Sequence, residues 1–235
     1  MQLFYNADLD KTTSEFSFSA EESKHILKVL RKQEGDILTI TNGKGLLFDA
    51  KITDAKIKRC TASIISCEKK HGSMHHLHLV VAPTKMNDRF EWFLEKATEI
   101  GINEITPIIC KRSERKVIKI ERLAKVLQSA MKQSLQAYLP KLNPAISFEQ
   151  YLAQEKTGLL FIAHCAEGEK MELKRRVAAD NDVTVLIGPE GDFSPNEINK
   201  AIAKGFLPVS LGKNRLRTET AALVACTTVA VINNS

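Results

Sequence analysis

The chain has 235 residues, 43% of them hydrophobic and 26% charged, enough for one large domain or two smaller ones with real cores and unlike a disordered or fibrous composition. No apolar run approaches the roughly 20 residues that cross a bilayer, and residues 1–10 hold neither a basic segment nor a long apolar stretch, so the expected setting is the cytoplasm, with no membrane partner. The net charge of +6 and the pI of about 9.0 suit a polyanionic partner.

Residues 1–70 read as short strands. Runs at 37–40, 46–48 and 62–65 are β-prone, and Asn42-Gly43 between the first two is a hairpin signal. One amphipathic helix interrupts them. Ser19 caps it, Glu22 completes a capping box, and Ile26, Leu27 and Leu30 supply its apolar face. A small β-barrel carrying one helix closes such a set. Residues 68–74 are polar and lack periodicity, which puts a domain boundary there, between a 1–70 domain and a 75–235 domain.

From His75 the rhythm becomes strand then helix. A strand at 77–82 precedes a helix at 89–100 that stops at Gly101. A strand at 104–110 precedes a long helix at 120–138 that ends before Pro140. Apolar runs at 159–163 and 183–187 are typical of buried parallel strands. Ser194-Pro195-Asn196-Glu197 is a capping box with proline in the first turn, for a helix reaching Gly205. A strand at 209–211 and a helix from Thr218 onward complete an α/β layer with a mostly parallel sheet.

The five cysteines (Cys60, Cys67, Cys110, Cys165, Cys226) are scattered without a C-x-x-C pair, so neither a disulfide framework nor a zinc ribbon is expected. The histidines at 71, 75, 76 and 78 lack acidic or cysteine partners nearby, so no metal site is expected. Seven basic residues lie between Lys111 and Lys125, among them Arg112, Arg115 and Lys116, against Glu114 and Glu121. Alone, such a run reads as a solvated helix face.

Three loops follow three buried strands near the C-terminus. One begins at His164. The second runs Ile187-Gly188-Pro189-Glu190-Gly191-Asp192-Phe193-Ser194. The third runs Leu211-Gly212-Lys213-Asn214-Arg215-Leu216-Arg217-Thr218-Glu219-Thr220-Ala221. Parallel sheets bind ligands beyond the carboxyl ends of their strands, and glycines let backbone approach a ligand closely. Gly188-Pro189 alone reads as a turn. In the third loop, one basic, one acidic and two hydroxyl side chains crowd a strand-to-helix turn between apolar elements, which is costly without a purpose. No P-loop, no G-x-G-x-x-G after a strand and no G-x-S-x-G elbow is present.

The stretches at 187–191, Phe193-Ser194, Leu211-Gly212 and Leu216–Ala221 resemble the signature of the SPOUT class, more narrowly the ribosomal RNA small subunit methyltransferase E family. Lys96–Gly101 and His25 with Val29-Leu30-Arg31 also look like that family. The resemblance spans the chain. It implies a C-terminal SPOUT domain with a deep trefoil knot, an N-terminal PUA-like RNA-binding barrel, a homodimer, and methylation of uridine N3 in 16S ribosomal RNA, within the assembled small subunit, by S-adenosyl-L-methionine. The cofactor would lie against His164, Ile187, Gly188, Pro189, Glu190, Gly191, Leu211, Gly212, Leu216, Thr218 and Ala221. The chain departs from the family at Lys132 and Gln136 in the long helix, at Asp192 and at Arg215.

Uridine N3 is a weak acid, so a cation near O2 or O4 would help by stabilising the developing anion. Arg217 is the candidate, with Glu219 orienting it or facing the donor's positive charge. The base is open, with His164 a candidate by position. RNA contacts are expected from Arg31, Arg112, Arg115 and Lys116. The apolar final helix, with Leu223, Val224, Val229 and Val231, is expected to offer dimer surface. The rivals are a related enzyme acting on another RNA site or a ribose hydroxyl, and a non-catalytic RNA-binding protein of the same fold.

Overall fold

The structure, a computed structural model, describes residues 2–233. Met1 and residues 234–235, the outer ends of the two expected domains, lie outside the described residues. Two compact units are present, one formed by residues 1–72 with 131–139, the other by 73–130 with 140–235.

The first unit is built from β1 (Leu3–Tyr5), β2 (Glu15–Ser17), α1 (Ala20–Lys24), a π-helical turn (His25–Val29), β3 (Ile37–Thr41), β4 (Leu46–Lys56) and β5 (Arg59–Lys69). The sheet order is β1-β3-β4-β5-β2, with β1 parallel to β3 and the other pairs antiparallel. β1 and β2, at opposite ends of that ladder, converge over one core: the Phe4 and Phe18 rings meet at 5.7 Å, and Phe18 meets Phe16 at 4.8 Å. The strands β4 and β5 are longer than the apolar runs suggested. β4 alternates buried Leu46, Phe48, Ala50 and Ile52 with exposed Asp49, Lys51 and Thr53, the pattern of a sheet with one wet face. Asn42 organises the hairpin: its side-chain oxygen accepts the Lys44 and Leu46 amides, and its Nδ2 donates to the Leu9 carbonyl.

The helical segment of this unit runs through Ala20–Lys24 and the π turn His25–Val29, with Ile26 buried. Ser19 accepts the Glu22 amide as an N-cap, but the reciprocal half of the capping box is absent, since Glu22 pairs with Lys132 at 3.5 Å. After the π turn, Arg31 takes φ 55, the position where a helix end favours glycine, and the Lys32 amide donates to the Ile26 carbonyl.

The second unit holds β6 (Leu77–Val81), α2 (Asn87–Ile100), β7 (Glu104–Ile109), α3 (Ile120–Gln133), β8 (Lys141–Leu142), β9 (Ile146–Ser147), α4 (Phe148–Leu152), β10 (Leu159–Ala163), β11 (Met171–Glu172), a 3-10 turn (Leu173–Arg175), β12 (Val183–Ile187), α5 (Pro195–Ala203), β13 (Leu207–Ser210) and α6 (Thr218–Asn233). Every pairing is parallel, in the order β11-β13-β10-β12-β6-β7-β8, with β9 also on β7. On one face Val80, Ile108, Ile162 and Leu186 pack with Phe148 and Tyr151 of α4, with Ile198 and Ala201 of α5, and with Phe193 and Phe206. α6 packs against β6, β12 and α2. α2 ends at Gly101, φ 103, and both halves of the Ser194–Glu197 capping box are made.

α3 stops at Gln133 rather than near Tyr138, and Leu135 turns the chain at φ 58. Residues 137–139 then join the first unit. Thr41 Oγ1 and the Gly45 amide both donate to the Ala137 carbonyl, and the Leu139 amide donates to the Gly43 carbonyl. Gly45 sits at φ 91, and a Cβ there would lie 2.3 Å from the Tyr138 ring.

In the second unit, His78 is mostly buried, bonded to Thr106 Oγ1 at 2.7 Å and set edge-on to Tyr151. Burial pulls its pKa down to about 4, opposed by Glu104 and assisted by His76, Lys141 and Lys156. Burial would raise the Glu104 carboxyl, but hydrogen bonds from Asn143 and Lys141, with His78 nearby, hold it below its ordinary value.

Two predictions follow from this packing. Gly45→Ala combines left-handed strain, about 1–3 kcal/mol by itself, with a ring clash, so urea denaturation should show a marked loss of stability; an unchanged midpoint would contradict the geometry. His78 takes up a proton more readily unfolded than folded. Its contribution is therefore complete above about pH 6.5 and is lost as pH falls toward about 4. Its size is on the order of 2–3 kcal/mol, and Glu104 acts in the same direction. His78→Gln should flatten the stability profile between those pH values.

Candidate functional site

All strands of the second unit share one carboxyl end, and three of its loops open there. The loops after β10, β12 and β13 surround a cavity of about 960 Å³, within the ~300–1,000 Å³ typical of small-molecule sites. His164, Ile187, Gly188, Pro189, Glu190, Gly191, Leu211, Gly212, Leu216, Arg217, Thr218 and Ala221 all line it. Thr218 is buried at the start of α6, and its hydroxyl donates to the Gly188 carbonyl at 3.1 Å, tying the third loop to the second.

The glycines do different work. A Cβ on Gly188 would lie 3.0 Å from the Phe193 ring, so this glycine admits a core aromatic rather than a ligand. A Cβ on Gly191 would meet Arg112 Cβ at 3.3 Å. Gly212, at φ 122, has no atom within 4 Å of its would-be Cβ and is the one that leaves open space. A side chain at 188 would therefore disturb packing first, contrary to the expectation that it enters ligand space.

Polar groups line this cavity without partners. Both ring nitrogens of His164 are buried and unbonded among the described residues. Burial, aided by Lys170, lowers the His164 pKa, with Asp192 opposing, so the ring is neutral at pH 7. Glu190 accepts the Lys85 amide on Oε1 at 2.8 Å, while its Oε2 is buried without a partner. Buried polar atoms left without partners are costly, which sets these two cavity residues apart from their neighbours.

The two candidate catalytic residues part company. Arg217 is exposed on the cavity and makes no ion pair among the described residues. Glu219 is 6% exposed, does not line the cavity, and lies 3.9 Å from Arg89 Nε of α2. The expectation that Glu219 orients Arg217 or faces a ligand is not met. Arg217 lies just before the first residue of α6, whereas Glu219 is inside its first turn.

The basic run also divides. Arg112 folds onto the second loop, its Nη1 donating to the Gly191 carbonyl at 2.9 Å and the Phe193 carbonyl at 3.4 Å. Arg115 donates to the Lys85 carbonyl at 2.6 Å and to Asn87. Lys116 is exposed. In the first unit Arg31 is exposed as well. Arg112 and Arg115 thus brace loops, a role that their place in a charge run gave no sign of.

Sequence reasoning also missed Asp192 as a brace. It takes φ 61, its Oδ2 accepts the Cys165 amide at 2.8 Å, and its Oδ1 accepts the Phe193 amide at 2.8 Å. The carboxylate therefore ties the β10 loop to the β12 loop beside His164. The available signal was an aspartate directly after Gly191, one of the positions where the chain departs from the family it resembles. Asp192→Gly suits the backbone and deletes only the tie. Hydrogen–deuterium exchange at the Cys165 amide should accelerate several-fold while global stability holds; unchanged protection would show that the tie does not hold the loop.

Residues 71–230 match the RNA methyltransferase domain family, and residues 18–65 match the RNA methyltransferase PUA domain family. Ribosomal RNA small subunit methyltransferase E of Rickettsia conorii is 30% identical over 236 residues, covering 99% of this chain and 96% of that protein. A protein from Porphyromonas gingivalis, described as a "probable rRNA-methyltransferase", matches in structure at TM-score 0.92 and 40% identity, over 100% of this chain and 99% of that one. Ribosomal RNA small subunit methyltransferase E from Neisseria gonorrhoeae, bound to S-adenosyl methionine, matches at TM-score 0.87 and 26% identity, over 99% and 98% of the two chains. With one domain family matched over most of its length and a relative 30% identical from end to end, the chain belongs to the RNA methyltransferase family, alongside the ribosomal RNA small subunit methyltransferase E proteins.

Proposed function

We propose that the protein uses S-adenosylmethionine to methylate N3 of a uridine in 16S ribosomal RNA, within the assembled small subunit, as a cytoplasmic homodimer. The observation that carries this reading is the strand-end cavity, where apolar walls and glycine-bearing loops meet Arg215 and Arg217, both exposed and without an ion pair among the described residues. The cofactor fits these residues. Ile187, Leu211 and Leu216 offer apolar walls, Gly212 leaves room for close approach, and His164 and Glu190 hold unused polar atoms. It would supply an electrophilic methyl group on a sulfonium. The chain's residues would do the rest. The loops hold donor and base in line, and Arg217 beside O2 or O4 stabilises the negative charge that develops as N3 loses its proton. The neutral ring of His164 has the protonation state of an acceptor. Glu219 has no part in this reading.

The first unit, with exposed Arg31, would be the RNA-binding PUA-like domain and the second the SPOUT domain with its trefoil knot. Lys116 would contact RNA directly. Arg112 and Arg115 would serve RNA binding by bracing the loops they bond. For the dimer, the final helix retains less surface than its sequence suggested: Val229 is core, whereas Val231 is 61% exposed.

Mass-spectrometric mapping of 16S ribosomal RNA from cells lacking the protein should show one uridine without its N3 methyl group, restored by the wild-type chain. Arg217→Ala should lower turnover by about 100-fold while S-adenosylmethionine affinity, read by calorimetry, changes little. Normal turnover would remove Arg217 from the reaction, and no change in the RNA would remove the reaction itself.

A further inference from the structure

A second, smaller pocket lies in the second unit, between the start of α2 and the start of α3, with Pro83 beyond the end of β6 in its wall. Its volume is about 180 Å³, below the ~300–1,000 Å³ typical of drug-sized ligands, which suits a single planar ring rather than a cofactor. Phe90, Ile118 and Leu123 supply apolar lining. Val117 stands on the rim 82% exposed, an apolar side chain that no packing in this chain uses.

The rim is cationic. The Lys119 side chain is exposed and makes no ion pair or hydrogen bond among the described residues, its carbonyl accepting the Arg122 and Leu123 amides. Arg122 pairs with Glu91 at 2.6 Å yet keeps 59% of its side chain exposed, so Glu91 offsets only one of the two charges. The third cation, Arg115, is fixed by its bonds to the Lys85 carbonyl and Asn87. The Lys85 amide in turn donates to Glu190 of the large cavity. One loop thus forms a wall of the small pocket and is hydrogen-bonded to the large one, and the strands behind them, β6 and β12, are neighbours.

We propose that this pocket is a nucleotide subsite. It takes one unstacked base of single-stranded RNA next to the methylated uridine, with the adjoining phosphate on Lys119 and Arg122. An apolar slot for a base beside cations for its phosphate is how single strands are held. The proposal rests on the RNA methyltransferase reading and adds to it where the strand runs beyond the reacting base.

The test uses the full-length protein with S-adenosylmethionine and a single-stranded oligoribonucleotide carrying 4-thiouridine at successive positions. Photo-crosslinks from one flanking position should map to Phe90 or to residues 117–123. Lys119→Glu should weaken binding of the oligonucleotide about tenfold and reduce its salt dependence by about one counterion. Val117→Ser, neutral in charge, should weaken it about threefold. S-adenosylmethionine affinity should stay unchanged in both. Crosslinks confined to other surfaces, or unchanged RNA affinity in both variants, overturn the subsite. If only Lys119→Glu acts and no crosslink reaches the pocket, the lysine is a phosphate contact alone and the base subsite is equally overturned. Wild-type protein that crosslinks as expected but transfers no methyl group to small subunits from cells lacking the protein refutes the methyltransferase reading and leaves the subsite standing.

Discussion

A strand buried along its whole length can place polar chemistry only at its ends. Val183–Ile187 is such a strand, with all five residues buried between β10 and β6. Hydrophobic packing on both faces fixes it as a rigid axis, and the chain must turn sharply where burial stops, at Gly188. A Cβ there would meet the Phe193 ring at 3.0 Å, and Phe193 in turn packs against Phe148. The floor of the cavity is therefore set by core packing, and α6 is pinned to it through the Thr218 hydroxyl on the Gly188 carbonyl.

Around that axis, charged side chains are spent on neighbouring backbone. Glu197 is 5% exposed, yet its carboxylate accepts from the Lys111 amide and from the Ser194 amide and hydroxyl, so its burial is compensated. Asp192 holds the Cys165 amide, Glu190 the Lys85 amide, and Arg112 the Gly191 carbonyl. Each contact crosses from one strand-end loop to another. Loops usually sample many shapes; these are cross-linked by charge-assisted hydrogen bonds, which are stronger than neutral ones. The cavity is held ready before any ligand arrives, and ordering costs on binding fall accordingly.

The same expenditure sorts the cations. A net charge of +6 describes the chain's long-range attraction to polyanions, but it does not say which arginines are free to make contacts. Arg112 and Arg115 are engaged, whereas Arg217, Lys116 and Lys119 are exposed without ion pairs among the described residues.

Local physics made much of this legible in the sequence. The capping box at Ser194 and Glu197, the helix stop at Gly101, the apolar runs of β10 and β12 and the polar crowding before α6 all depend on neighbours a few residues away, so the α/β layer and the three loops at its strand ends could be read directly. What depended on distant partners could not. Residues 137–139 leave the helical pattern because hydrogen bonds to Thr41, Gly43 and Gly45 capture them. Glu22 forsakes its capping box for Lys132. Arg217 and Glu219, two residues apart, face different surroundings because a helix start turns one to the cavity and the other to Arg89. Periodicity determines which face a side chain takes; only the tertiary structure decides what waits on that face, because contacts made across many residues leave no local pattern.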